Sequence, residues 1–303
     1  MLGVHLVLRY NKPMELPRYI VLEKAVGQTP LQCMEAWREQ AGVPADTPLT
    51  YAGRLDPMAS GQLLVLIGDE CKKKDQYLAL DKTYQFSVLL GIGSDTHDVL
   101  GRLHTAQSGD LPHPLLRRPN QTHPSIVAPS LCLLAEQLTD ICRDLTGDIE
   151  LPYPHFSSKT VDGKPLFQWA LEARLDKIEI PTKHSTIYSL ALDRIETCAR
   201  SNLAQAALDK INTIPEVTDT NKSLGNDFRR TDVRQDWKHI TNCPELSSGQ
   251  LVEQFQIAHF TCSCSSGTYM RTLAKLIGER LNPAVPSLAW SIHRSEIIMP
   301  DKI

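Results

Sequence analysis

The sequence is read as a mixed α+β fold, with which its segments of strand length and its segments of helical period agree. Runs of strand length occur at Leu63-Leu-Val-Leu-Ile67, at Asp81-Lys-Thr-Tyr-Gln-Phe-Ser-Val-Leu-Leu-Gly91 and at Phe255-Gln-Ile-Ala-His-Phe-Thr-Cys-Ser-Cys264. A helical period near 3.6 marks Leu31, Met34, Trp37 and Arg38, and again Leu273, Leu276 and Ile277. The 303 residues suggest roughly two domains, or one large domain with insertions. A hydrophobic content of 42% and a charged content of 22% suit a globular protein with a buried core.

Taken in order, Leu2–Tyr10 reads as a first strand closed by Asn11-Lys12-Pro13, and Met14–Val26 shows no clear pattern. Thr29 is placed to cap a helix with Pro30 at its first position, running to about Ala41. Gly42–Thr50 is a proline-punctuated loop. After Gly68, a short helix starts at Asp69 and ends near Leu80; its Lys72-Lys-Lys74 is either a solvated face or a phosphate contact. In the strand that follows, Tyr84, Phe86 and Val88 share one face. Gly93-Ser-Asp-Thr-His-Asp98 reads as a turn; two carboxylates and a histidine also allow a metal site, although no further ligands cluster nearby.

His104–Pro129 reads as a long loop, and Pro129–Leu145 as an amphipathic helix stopped by Gly147. Leu151–Lys159 is extended and stiffened by prolines, Val161–Pro165 is a turn, Leu166–Arg174 a short helix and Ile187–Thr197 a strand. Residues 199–249 hold a helix near Leu203–Ile211 and then a polar stretch, Thr218–Arg234, which reads as a mobile insertion. Ser265–Arg271 turns into a helix, and Leu288–Ile298 is a closing strand.

Charge and cysteine usage narrow the function classes. A net charge of −3 gives no global sign of a nucleic-acid partner, so any such binding needs local basic patches. Eight cysteines without a CxxC pair read as free thiols in a reducing compartment; Cys262 and Cys264 are taken as pointing to opposite faces of their strand. No apolar run approaches the ~18 residues of a membrane span, and the N-terminus reads as a strand rather than a leader.

The chemistry is placed in Tyr51-Ala-Gly-Arg-Leu-Asp-Pro-Met-Ala-Ser-Gly61, with Asp56 at its centre. Gly53 and Gly61 permit positive φ and close backbone approach. Pro57 biases Asp56 towards extended geometry, so the carboxylate sits on a stiff loop that feeds a buried strand. An Asp-Pro pair is also an ordinary turn, and this motif does not decide the matter alone.

Other segments decide it. Lys12-Pro13 with Gly27 and Thr29, Gly53-Arg-Leu-Asp56-Pro with Gly61, Lys82-Thr-Tyr84, Pro154-His-Phe-Ser-Ser with Gly163-Lys-Pro-Leu-Phe167, and Cys264-Ser-Ser-Gly-Thr-Tyr-Met-Arg271 occur in that order. Together they resemble the TruB family of pseudouridine synthases, which convert uridine 55 of the tRNA T-loop. The likeness covers most of residues 1–110 and 130–298. It implies one large, mostly antiparallel sheet with the catalytic cleft crossing its middle, in a single catalytic domain over residues 1–298.

The resemblance also implies roles. Asp56 would act at the sugar, as nucleophile or as base at C2′. Tyr84 would stack on the flipped uracil and relay a proton at C5, and Arg271 would pair with Asp56, keeping it ionised and aimed. Lys12, Tyr51, Arg54, Lys82 and Ile292 would contact substrate. The chemistry requires no cofactor and no metal. The implied partner is the T-arm of tRNA, met by a cytoplasmic monomer with no membrane contact; a T-loop-like hairpin of another RNA, and a non-catalytic RNA-folding module, are the alternatives. Tyr51 stands where many bacterial members carry histidine, and Phe156 and Phe167 stand where tyrosines are common. The insertion at about 199–249 is atypical for the family, and with 299–303 as a short tail the C-terminal PUA domain of many relatives is expected to be absent.

Overall fold

The computed structural model describes residues 16–105, 131–214, 230–242 and 254–299. The strand expected at Leu2–Tyr10, the residue Lys12 and most of the loop expected at 104–129 lie outside them. Strand β1, Tyr19–Lys24, falls where the sequence showed no pattern. Its apolar Val21 stays exposed, so the alternation that marks a half-buried strand is missing.

Helix α1 spans Pro30–Ala41 as expected. The Thr29 hydroxyl accepts from the Gln32 amide and the Gln32 side chain accepts from the Thr29 amide, a reciprocal cap that satisfies two donors of the helix start. Strand β2, Leu49–Ala52, begins inside the expected loop, and β3, Ala59–Ile67, carries the apolar run. A 3-10 turn at Gly68–Lys73 and helix α2, Lys74–Leu78, replace the single helix expected there. Lys72 pairs with Asp69 and Lys73 with Glu70, so two of the three lysines already hold carboxylates.

Strand β4 is Lys82–Leu90, and β5 (Ile92–Ser94) pairs with β6 (Leu103–Thr105) around the 95–102 loop. Then come α3 (Leu131–Asp144), β7 (Gly147–Pro152), the small hairpin of β8 (Thr160–Val161) and β9 (Lys164–Pro165), and α4 (Leu166–Leu171). Strand β10, Thr182–Ala199, outruns its expected limits at both ends. Helices α5 (Arg200–Asn212) and α6 (Arg230–Asn242) lead to β11 (Gln254–Cys264), α7 (Met270–Leu281) and β12 (Ser287–Ile297).

Eight strands make one sheet in the order β1-β3-β12-β4-β11-β10-β7, with β2 added to β3. All its pairs are antiparallel except β3–β12, which runs parallel and matches Ile292 to Ala59 and Arg294 to Gly61. The sheet is thus mostly antiparallel, as expected. Strand parity divides its core residues between two faces. Phe86, Val88, Phe260 and Cys262 pack with Leu134 and Leu138 of α3 and Leu273 and Ile277 of α7. Leu89, Phe255, Ile257 and Leu288 pack on the other face with Leu203 and Ala207 of α5 and Val233, Trp237 and Ile240 of α6.

Two expectations are corrected. Cys262 and Cys264 do not point to opposite faces: residues two apart on a strand share a face, and both thiols are fully buried in the same core cluster. The mobile insertion expected at Thr218–Arg234 is also corrected at its described end, Arg230–Arg234. From Arg230 onwards it is helix, and Val233, Trp237 and Ile240 form a buried stripe at helical spacing. Residues 215–229 lie outside the described ones.

Candidate active site

A cavity of about 650 Å³ opens over the β3, β12 and β4 side of the sheet, lined by Arg54, Asp56, Tyr84, Arg271, Ile292 and Arg294 among others. Asp56 reaches it from the loop ahead of β3. Gly61 makes that approach possible: at φ 107° it lies so close to β12 that a Cβ would overlap the backbone of Arg294. Arg271 enters from the first turn of α7, directly after the Gly267-Thr-Tyr turn.

The Asp56 carboxylate is partly open to solvent, whereas the Arg271 guanidinium is buried. Their Oδ2 and Nε atoms are 2.8 Å apart. The contact is an ion pair more than a straight hydrogen bond, since the Nε–H has no aligned acceptor. The rest of the guanidinium is held firmly: Nη1 donates to the Thr96 carbonyl at 2.9 Å, and Nη1 and Nη2 both donate to the Phe156 carbonyl at 3.3 Å. A second carboxylate, Asp98, stands 3.8 Å from Nε. Its own oxygen Oδ1 accepts from the Thr96 hydroxyl at 2.6 Å and the Leu100 amide at 3.0 Å. Burial pushes the Asp98 carboxyl above its usual range, against the opposing pull of Arg271. One buried cation therefore serves two carboxylates, and only Asp56 faces the cavity opening.

Tyr84 lies on β4 opposite Arg294 of β12. The Arg294 Nε–H donates to the Tyr84 hydroxyl at 3.2 Å, and its guanidinium sits over the tyrosine ring at 5.5 Å. The same guanidinium donates to the carbonyls of Arg54 (2.8 Å), Gln62 (3.2 Å) and Gly53 (3.4 Å). Burial raises the Tyr84 phenol above its ordinary range. The cavity therefore combines an anchored carboxylate, a buried ring with a fixed hydroxyl, and the apolar Ile292.

Residues 47–116 match the model of the TruB family pseudouridylate synthase, N-terminal domain. A protein named tRNA pseudouridine synthase B from Geobacillus thermodenitrificans is 25% identical over 92% of this chain and 65% of its own length. The protein of that name from Mesoplasma florum is 24% identical over 80% of this chain and 78% of its own. The chain is similar to the TruB family, through residues 47–116 and through relatives aligned over most of its length. A third relative of that name, from Caldicellulosiruptor saccharolyticus, is 30% identical over 57% of this chain and 50% of its own length. The chain thus spans about half to two thirds of the first of these curated relatives. A crystal structure of a Cbf5-Nop10-Gar1 complex aligns over 92% of this chain and 48% of its own at 14% identity, with a TM-score of 0.44, too slight a likeness to argue from.

Of the residues that the TruB resemblance singles out, the structure gathers Asp56, Tyr84, Arg271, Arg54, Ile292 and Lys82 around the one cavity. Lys82 borders it, but its ammonium donates to the carbonyls of Leu78 and Leu80, and burial lowers its pKa to about 8. Tyr51 does not line the cavity; it packs beside Cys33 and Met34 of α1, with the Lys74 ammonium 5.5 Å above its ring. Lys12 lies outside the described residues. Phe156 and Phe167 both line the cavity, as does Tyr269, whose ring meets Tyr153 edge-on.

Sequence reasoning passed over Arg294 and Asp98. For Arg294 the signal was strand parity: it lies two residues after Ile292, so it faces the same side. Asp98 carried none beyond its polar loop. In that loop Asp98 is engaged by Arg271, Thr96 and Leu100. Among the described residues no three His, Cys, Asp or Glu side chains cluster to hold an ion.

Proposed function

We propose that this chain isomerises uridine to pseudouridine in RNA, with uridine 55 in the T-loop of tRNA as its target. The observation that carries this reading is the Asp56–Arg271 ion pair, held at 2.8 Å in the wall of a cavity whose volume suits a single nucleotide. The names borne by the TruB relatives support it.

The reaction exchanges one bond for another within the nucleoside. The N1–C1′ bond breaks, the base turns, C5 bonds to C1′, the proton leaves C5 and N1 gains one. Atoms and electrons balance within the substrate. The target must first leave its stack to reach the cavity. Asp56 then acts at the sugar, either adding to C1′ or taking the proton at C2′. Arg271 fixes where that carboxylate points, and its own three backbone bonds keep it from following the substrate. The Tyr84 ring offers a stacking surface, and its hydroxyl, which accepts from Arg294, would relay the C5 proton. Ile292 supplies an apolar contact to the base. The T-arm is the contacted region, met by the monomeric catalytic domain, and Arg54 at the rim is the candidate phosphate contact.

The test is incubation with an unmodified tRNA transcript, followed by pseudouridine mapping at base resolution. Wild type should convert position 55. The Asp56→Asn variant should give no product while binding the transcript almost as tightly, because the carboxylate serves the chemistry more than the affinity. If position 55 stays uridine with wild type, the functional reading fails; if the variant matches wild type, only the assignment of Asp56 fails.

A further inference from the structure

The helix pair α5–α6 touches the active-site ion network from two sides. On α6, Trp237 is fully buried and its indole N–H donates to the Val99 carbonyl at 3.0 Å. Asp236 accepts from the Leu103 amide at 3.0 Å and takes the Arg102 guanidinium on both oxygens, at 2.8 and 3.2 Å. Asp232 takes another arm of Arg102 at 3.1 Å. All these bonds land on residues 99–103, the returning half of the loop between β5 and β6. The outgoing half, 96–98, supplies the Thr96 carbonyl and the Asp98 carboxylate that flank Arg271. Asp98 joins the halves by accepting the Leu100 amide, one residue past Val99.

The second side is the turn after Asp56. Thr213, following α5, sits so close to Gly27 that a Cβ there would press on its carbonyl at 2.5 Å, and the Gly27 amide donates to the Pro57 carbonyl at 2.8 Å. Between the two grips, Ile211, Ile214 and Val233 face Asp56, Asp98 and Arg271 across a cavity of about 270 Å³. β12 also holds the loop, through the Ala289 amide on the His97 carbonyl, so the helices share the task.

We infer that α5–α6 is a brace on the active site: Trp237 and Asp236 are positioning residues that set the 95–102 loop, hence Arg271, hence the aim of Asp56. This rests on the isomerase reading of Asp56. Small displacements of a reacting group are costly: about 1 Å of misplacement can cost 100-fold in rate. Substitutions about two shells away should therefore be felt in chemistry before they are felt in binding.

The experiment compares wild type with Trp237→Phe, Asp236→Ala and Asp236→Asn in the full chain. It measures single-turnover pseudouridine formation on saturating unmodified tRNA transcript, the Kd for that transcript, and amide hydrogen exchange across the protein. Expected for Trp237→Phe and Asp236→Ala is faster exchange confined to 94–103, a rate lower by about tenfold, and a Kd within about twofold of wild type. Asp236→Asn, which keeps an oxygen for the Leu103 amide, should recover part of the rate. Unchanged rates alongside loosened 94–103 amides would overturn the brace, and so would exchange that rises uniformly, since that marks mere support of the fold. Wild type without product would instead sink the isomerase reading, while the exchange arm would still report whether α5–α6 holds the loop.

Discussion

Arg294 is a buried cation held by backbone carbonyls rather than by a carboxylate, and it binds the Gly53–Arg54 loop, β3 and Tyr84 at once. A guanidinium suits that task because its donors fan out in one rigid plane; an ammonium has three donors on a compact head and cannot span the same acceptors. Arg294→Lys should therefore keep the charge yet lower single-turnover pseudouridine formation at least tenfold (by order of magnitude), since a misplaced group loses about that much or more. Arg294→Met should in addition lower the melting temperature, because the carbonyls and the tyrosine hydroxyl left unpaired cost about 1–3 kcal/mol each when buried. Equal activity of the lysine variant would show that charge, not the fork, is what the site uses. At this scale the sequence was partly legible. Asp56, Tyr84 and Arg271 stood out only through the TruB resemblance that their separated motifs carry together, not through any one motif. Arg294 hid in the polar half of its strand, between His293 and Glu296, where a charge reads as an outward residue, and Asp98 depends on a fold contact that no local spacing announces.

Elements with strong local signals were the readable ones. Thr29, Pro30 and Gly42 bracket α1 through capping chemistry that acts within a few residues. Helix α6 was missed because its stripe of Val233, Trp237 and Ile240 lies in an otherwise polar stretch, yet those three sit four and three residues apart, which is the helical signature. The turn after β3 depends on a carboxylate instead. Glu70 is nearly buried and accepts from Arg18 at 2.8 and 2.9 Å and from the Tyr77 hydroxyl at 2.7 Å, tying the approach to β1 to α2. The hydrogen bond from Arg18, then that from Tyr77, depress its pKa from 4.5 to about 2. A depressed carboxylate contributes stability that is whole above its unfolded value and disappears as pH falls through its folded value. Glu70→Gln should thus be less stable than wild type at pH 7, with the gap closing between about pH 4.5 and pH 2 in parallel denaturant titrations. A gap that persists at pH 2 would mean that shape, not charge, holds this turn.

The whole sheet was beyond local reading. The strands on their own allowed many orders, and it was the resemblance to TruB enzymes that implied one large, mostly antiparallel sheet. The parallel β3–β12 pair that sets Arg294 against Gly61 and the Gly53–Arg54 loop joins residues more than 230 positions apart, and no window along the chain contains both. Charge poses the remaining question at this scale. A chain with a formal charge of −3 is not drawn to RNA by its overall field, so the proposed RNA binding calls for local cations such as Arg54 at the cavity rim and Lys74 beside Tyr51. Each phosphate neutralised releases condensed counterions, which makes affinity fall with salt in proportion to the number of contacts. The Kd for a tRNA transcript should therefore rise steeply between about 50 and 200 mM salt, and Arg54→Gln should flatten the log–log slope by about one unit without a sequence preference appearing. A slope near zero for wild type would remove RNA from the reading of this molecule altogether. An unchanged slope in the variant would move the phosphate contact elsewhere on the rim.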